Sequence, residues 1–269
     1  MSLRIAFGSI FLNEAQFLPF SLAQHYAFCD KWFFIEGADV RYPRESVTDA
    51  GLSTDKSAEI IKSYPDIDKK ITLIQHGWAQ DKTVLRNRYA ELADMHRIDI
   101  LIVVDIDEFL TNSSMVSLLT RLRQLPGPGV VRIPHVHFWH NQQTVITGKY
   151  WDVPHDRAYR WQQGNRYIRD HNHPEKNGLL LRARNTDAYM SRRVVHNDGS
   201  MTCDEPFWLH YANCKEDVHV QDKNAFYRAR GEAQTRPETI KSREAFFSVE
   251  LPEGLVTYKW AGPLPEVMR

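Results

Sequence analysis

Ile100 to Val104 is an unbroken apolar run, and no other stretch constrains the fold of this chain so tightly. A strand apolar at every position has to be covered on both faces, which places it inside a sheet layered with helices. The flanking segments agree. Leu3 to Phe11 reads as a short strand, followed by a helix with Leu18, Leu22 and Tyr26 at four-residue spacing and Asn13 suited to its cap. Trp32 to Ile35 is a second strand, Ala58 to Tyr64 part of a helix, Ile71 to Ile74 a third strand, and Thr83 to Arg97 a helix with Leu85, Tyr89 and Leu92 on one face. After the apolar strand, Ser113 to Leu125 returns to helix on a stripe of Met115, Leu118, Leu119, Leu122 and Leu125. Pro126-Gly127-Pro128-Gly129 stops it, and Val130 to Trp139 is the next strand. Repeated strand–helix–strand units predict an α/β fold with a mostly parallel, doubly wound sheet. Sheets of this kind bind ligands beyond the carboxyl ends of their strands.

Composition bounds the rest. A chain of 269 residues that is 42% hydrophobic and 25% charged buries one large core, or a core with a smaller lobe. Lys and Arg balance Asp and Glu at 34 each, so no global field draws it to nucleic acid or to an anionic membrane, and any anion site has to be local. Cys29, Cys203 and Cys214 fit neither a metal knuckle nor a disulfide framework and read as free thiols. No run approaches the roughly 18 apolar residues of a spanning helix, and the N-terminal stretch is too short for a signal peptide, so a cytoplasmic protein with no membrane span is expected. Beyond Trp139 periodicity fades. Residues 140 to 220 offer one regular segment, Leu179 to Arg184, and Val220 to Gly231 and Arg236 to Phe247 read as helices. This half is expected to wrap the open edge of the first, within a single domain spanning 1-269.

The strongest chemical signal is Asp105-Ile106-Asp107-Glu108-Phe109, directly after the apolar strand. Two carboxylates two residues apart at a strand end can share one hard cation and leave positions on it for phosphate oxygens. The plainer reading is a solvated strand end in which Asp107 or Asn112 caps the next helix. Three acids within four positions favour the cation, because a bound ion relieves their repulsion at a buried strand end.

Asn13-Glu14 after the first strand, Asp55 before a helix, and D-x-D-E-F after the fourth strand together resemble the glycosyltransferase family 2-like group with the GT-A fold, over roughly residues 3 to 140. The resemblance implies a GT-A-like sheet whose first half, 1-140, binds a nucleotide-diphosphate sugar and whose irregular second half, 141-269, faces a carbohydrate or glycoconjugate acceptor. It implies that Asn13, Glu14, Glu36 and Asp55 line the base and ribose, and that Asp105 and Asp107 hold a divalent metal, Mn²⁺ or Mg²⁺, on the diphosphate. The family's short S-x-D after the second strand is missing. Gly37-Ala38-Asp39 runs instead to Ser53-Thr54-Asp55, so either Asp39 or Asp55 is the ribose contact, and either also reads as a turn or cap residue.

Three further groups attach to that reading. Lys82, Arg86 and Asn87 lie at the start of a helix, whose free N–H groups and positive dipole end suit an anion, although exposed cations on a helix usually serve only solubility. His135, His137 and Trp139 alternate along a strand and so share a face, where rings and imidazoles can grip a sugar acceptor. Two such histidines are a thin zinc site. Late in the chain, Phe207-Trp208-Leu209-His210-Tyr211 resembles the family's terminal H-Y, which makes His210 a third metal ligand, with His196 the fallback and an ordinary core histidine the plain alternative. Asp204 and Glu205 are the candidate catalytic base for an inverting transfer. Two rival functions remain. A haloacid dehalogenase-type phosphohydrolase would use Asp105 as nucleophile, but that motif normally follows the first strand and does not continue to Glu-Phe. A non-catalytic carbohydrate-binding protein of the same fold would bind donor without transfer.

Overall fold

The computed structural model describes residues 3–148, 154–168, 174–176, 179–180, 186–188, 193–203, 206–215, 221–222, 225–226, 229 and 256–268. Its first 103 residues follow the alternation in the sequence: β1 (Ile5–Phe11), α1 (Leu18–His25), β2 (Lys31–Glu36), α2 (Ser57–Ser63), β3 (Ile71–Gln75), α3 (Lys82–Met95) and β4 (Ile100–Val103). These strands pair in parallel in the order β3-β2-β1-β4. The chain therefore leaves β1 in one direction and returns beyond it for β4, which makes the gap between the carboxyl ends of β1 and β4 a topological switch point. Every residue of β4 is buried.

Strand periodicity sorts the core into two layers. Phe7, Phe11, Trp32, Phe34, Ile100 and Ile102 face one side, against Leu18 and Leu22 of α1. Ala6, Phe33, Ile35, Leu101 and Val103 face the other, against Leu85, Tyr89, Ala90 and Ala93 of α3. Gly8 is what lets α3 sit so close: a Cβ there would stand 2.8 Å from the Tyr89 ring. The Asp81 carboxylate caps α3 by accepting from the N–H groups of Thr83 and Val84. At α1 the sequence expectation fails. The residue before the helix is Phe17, with no side-chain cap, and Asn13 instead takes a left-handed φ of 53° in the preceding loop. Asn tolerates that conformation better than most side chains.

After β4 the chain builds a second sheet. Its remaining elements are β5 (Glu108–Phe109), α4 (Asn112–Gln124), β6 (Gly129–Ile133), β7 (His135–Trp139), β8 (Thr144–Thr147), β9 (His155–Arg160), β10 (Arg166–Tyr167), β11 (Pro174–Lys176), β12 (Leu179–Leu180), β13 (Thr186–Ala188), β14 (Arg193–Val195), β15 (Ser200–Cys203), β16 (Trp208–Asn213) and β17 (Val256–Trp260). Among the described residues β13, β6 and β9 extend the first sheet beyond β4, with β9 antiparallel to both β4 and β6. The second sheet runs β14-β15-β17-β8-β7-β16-β5, and β10, β11 and β12 form a small third one. The residues read as one strand from Val130 to Trp139 are thus two. Pro134 has no N–H to continue a ladder, so β6 ends in the first sheet and β7 begins in the second.

Between 140 and 220 the sequence pattern shows one regular segment, whereas the structure has several strands of two to six residues. Elements this short and this polar leave no period to read. Residues 181–184 of the expected Leu179 to Arg184 strand, most of 220–231 and all of 236–247 lie outside the described residues. The α4 cap is Thr111, whose hydroxyl accepts from the Ser114 N–H, so neither Asp107 nor Asn112 fills that role. All three cysteines are buried free thiols. Among the described residues no helix is long and apolar enough to cross a membrane.

Candidate functional site

The segment 105–109 is the crossing between the two sheets. Its entry is fixed by backbone: the Val104 N–H donates to the Gly8 carbonyl, and the Ser9 hydroxyl donates to the Val104 carbonyl at 2.6 Å. Its exit is the two-residue β5, which pairs antiparallel with β16, so that His210 stands opposite Glu108. On its other side β16 runs parallel to β7 with His210 in register with His137. The Tyr211 N–H donates to the Asp107 carbonyl at 2.9 Å. Two elements distant in sequence therefore close on the acidic turn.

Asp105 and Asp107 look to different sheets. Arg157 of β9, in the first sheet, donates from Nη2 to Asp105 Oδ2 at 2.6 Å and to Glu108 Oε1 at 2.8 Å. Asp107 turns toward the second sheet, with Oδ1 3.6 Å from His210 Nε2 and Oδ2 2.8 Å from Lys215 Nζ. Lys215 reaches back to Glu14 Oε1 at 2.5 Å and so joins the end of β1 to the acidic turn.

These contacts set the charge states. Burial works to raise the Asp105 carboxyl, but Arg157, with help from Lys82 and Arg86, holds it below the ordinary carboxylate range. For Glu108 burial wins: although Arg157 opposes it, the neighbouring charges of Asp105 and Asp107 add to burial and push the group up to about 8. Glu108 thus holds its proton more tightly than Asp105 does. Burial alone would depress Lys215, yet Asp107 and Glu14 hold it well above the usual lysine range. His155 is lowered to about 4 by burial and by His135 and Arg157.

The candidates around the β1 end hold one another. The Asn13 amide donates to the Ser46 carbonyl at 2.8 Å, its oxygen accepts from the Thr54 N–H at 2.8 Å, and its own N–H donates to Ser53 Oγ. The Glu14 N–H donates to Ser57 Oγ, and Asp55 accepts from the N–H groups of Ala15 and Ser57. Glu36 is 1% exposed, and its carboxylate accepts from the Ser53 N–H and from Gln75 Nε2. Asn13, Glu14, Glu36 and Asp55 thus form one latch between the loops after β1 and β2. Asp39 is held apart, paired with Arg41.

On α3, Asn87 clamps both backbone groups of Tyr167, donating to its carbonyl at 3.0 Å and accepting from its N–H at 2.8 Å. Arg86 is 9% exposed, lies 5.8 Å from the Tyr167 ring centre and, among the described residues, has no hydrogen-bond partner at Nη1. Lys82 Nζ stands 5.1 Å from the Phe226 ring centre, and the Ser46 hydroxyl donates to Asp222 at 2.7 Å, so Asp222 and Phe226 lie on this side.

His135, His137 and Trp139 are all buried, at 1%, 7% and 9% exposure. His135 Nε2 bonds Glu108 at 3.1 Å, and His137 Nδ1 lies 2.9 Å from His210 Nδ1. His135 and His137 thus back Glu108 and His210. His196 is exposed and bonds Thr202. Asp204 and Glu205 lie outside the described residues.

A divalent ion fits the Asp107 side of the turn. Two ligands of one small divalent ion, at bond lengths of about 2.0–2.2 Å, stand roughly 3–4 Å apart, and Asp107 Oδ1 and His210 Nε2 meet that condition. Among the described residues no group of three or more His, Cys, Asp or Glu side chains is arranged to hold a metal, so Asp107 and His210 are the pair whose spacing could serve one. Sequence reasoning missed Arg157 and Lys215. Neither sits in a motif, and both come from the stretch where periodicity is absent.

No family model and no curated protein sequence matches the chain. Among solved structures, it is similar to the crystal structure of S. aureus TarS, with a TM-score of 0.34 and 13% identity over 50% of this chain and 22% of that one. Against S. aureus TarS 1-349 the TM-score is 0.35 at 12% identity, covering 59% and 47% of the two chains. Against mannose-1-phosphate geranyltransferase from Thermus thermophilus it is 0.34 at 8% identity, covering 55% and 46%. The chain spans less than half the length of each of these structures. Scores this low place no constraint on function, which has to be argued from the residues.

Proposed function

We propose that this chain is a glycosyltransferase that binds a nucleotide-diphosphate sugar across the carboxyl ends of β1, β2 and β4 and transfers the sugar to an acceptor hydroxyl. The observation that carries this is the pairing of β16 with β5, which sets His210 beside Asp107 at the end of β4, while Lys215 just beyond β16 links Asp107 to Glu14 after β1. A carboxylate and an imidazole facing one gap suit Mn²⁺ better than Mg²⁺, because imidazole is a poor ligand for the harder ion. Such an ion supplies a counter-charge for the diphosphate as it leaves.

The chain's own groups do the remaining work. Arg86 brings a buried guanidinium with an unused donor to the Asp105 side, as anion binding requires, and Lys82 adds charge at the positive end of α3. The latch of Asn13, Glu36 and Asp55 fixes the loops that would meet base and ribose, and Glu14 ties them to the turn. His135 and His137 orient the turn from below, through Glu108 and His210. His135, His137 and Trp139 are the proposed acceptor contacts, and Asp204 or Glu205 is the proposed base.

Asp107→Asn tests the reading. It keeps the side-chain shape but removes the charge, so nucleoside diphosphate affinity in Mn²⁺ should fall by about 100-fold while circular dichroism stays unchanged. Calorimetry that gives the variant wild-type affinity would sink the assignment.

A further inference from the structure

Lys215 is a buried lysine that joins two of the candidate donor residues, with Nζ 2.8 Å from Asp107 Oδ2 and 2.5 Å from Glu14 Oε1. It is 8% exposed and lies at the switch point between the ends of β1 and β4. Its backbone is anchored independently of the ammonium. The preceding Cys214 N–H donates to the Tyr211 carbonyl at 2.8 Å, and the Cys214 carbonyl accepts from Gln16 at 3.4 Å. The long stem can therefore change partner without a change of backbone.

We propose that Lys215 is the resident counter-charge of Asp107 in the donor-free protein, and that it passes from Asp107 to the donor diphosphate when a divalent ion takes Asp107. The inference rests on the donor site argued above. Its physical basis is competition for one carboxylate. A divalent ion placed between Asp107 and His210 lies close to the Lys215 ammonium, and in a shielded site two cations on one carboxylate repel strongly. The ammonium then has Glu14 as its remaining anion, whose N–H is pinned by Ser57 and whose position is thereby kept. An arriving diphosphate supplies the charge that Asp107 no longer offers, and a lysine binds phosphate well as a mobile point charge. The exchange makes metal without nucleotide a poor ligand, since it has to separate Lys215 from Asp107 and leave the ammonium with Glu14 but no phosphate. Metal with nucleotide is a good one. Lys215 thereby couples the two bindings and touches the leaving group, which makes it a catalytic residue missing from the sequence motifs.

The coupling predicts effects of opposite sign, which loss of a merely structural ion pair would not give. In Lys215→Met, Mn²⁺ alone, measured by the free-ion paramagnetic resonance signal, should bind roughly tenfold tighter than in wild type, because one competing charge is gone. In saturating Mn²⁺ the nucleoside diphosphate that binds wild type best, chosen from UDP, GDP, CDP and ADP, should bind roughly tenfold more weakly by calorimetry. Lys215→Arg keeps the charge and should hold the metal-alone affinity near wild type. Because Lys215→Met removes a partner from both Asp107 and Glu14 and can misfold, Glu14→Gln/Lys215→Met is compared with Glu14→Gln, and the same tightening toward Mn²⁺ alone is expected. Unchanged or weaker metal binding in both Lys215→Met backgrounds, or metal and nucleotide moving in the same direction, overturns the proposal. If wild type binds no nucleoside diphosphate with Mn²⁺, the donor reading falls and this inference with it. If wild type binds both and only the opposite shift is missing, Lys215 alone is wrongly assigned.

Discussion

The two large sheets are built on different principles, and the acidic turn is where they meet. In the first, β1 to β4 carry alternating apolar side chains that feed one helical layer on each face, and Gly8 lets the Tyr89 ring approach β1 closely. In the second, β5, β7 and β16 carry Glu108, His135, His137 and His210 toward one another, and Glu108 and His135 are essentially fully buried. An apolar ladder tolerates exchange of one hydrophobic residue for another, whereas a buried polar cluster holds only if each charge keeps its partner. The difference teaches where each kind of damage should show. Arg157 belongs to the first sheet but serves the second, and it is the best place to break the comparison.

Arg157→Ala should produce the largest effect. It strips the shared partner from the partly exposed Asp105 and the fully buried Glu108, at a cost of about 3 kcal/mol, read by urea denaturation. A loss no greater than that of an exposed arginine would show that the polar cluster does not depend on it.

Gly8→Ala probes the apolar sheet instead. A methyl group 2.8 Å from the Tyr89 ring forces α3 outward, and overpacking of this kind costs about 1–3 kcal/mol. Full stability in the variant would mean that α3 is less tightly seated on β1 than the structure has it.

His25 sharpens the comparison by pH. It lies under the turn, stacked on Phe109 with ring centres 5.9 Å apart and accepting from the Leu110 N–H at 3.3 Å, and burial lowers it to about 3. An unfolded histidine titrates near 6.5, so between about 6.5 and 3 the unfolded state binds the extra proton and stability falls as pH falls. The slope from this one group is at most about 1.4 kcal/mol per pH unit. His25→Gln should flatten the stability profile below pH 6.5 relative to wild type, in urea melts at matched pH. An identical slope in the two proteins would remove His25 from the account.

The sequence by itself determined the first sheet and the position of the acids. Apolar alternation from Ile5 to Val103, the run Ile100 to Val103 above all, leaves few arrangements that cover both faces, and Asp105 follows that run directly. Local chemistry of the same kind fixed the end of α4 at Pro126-Gly127 and the break at Pro134, although the break was not read as such. Tertiary structure alone decided what the acids face. Arg157, His210 and Lys215 reach the turn because β9 inserts antiparallel beside β4 and β16 inserts between β5 and β7. Those pairings join residues roughly 50 to 110 positions apart through short polar strands, whose register is set by partners and not by any period of their own. The physical reason is the range of the forces. Burial of apolar surface repeats along a segment and can be read there, whereas a charge pair is specified only once two distant segments have met.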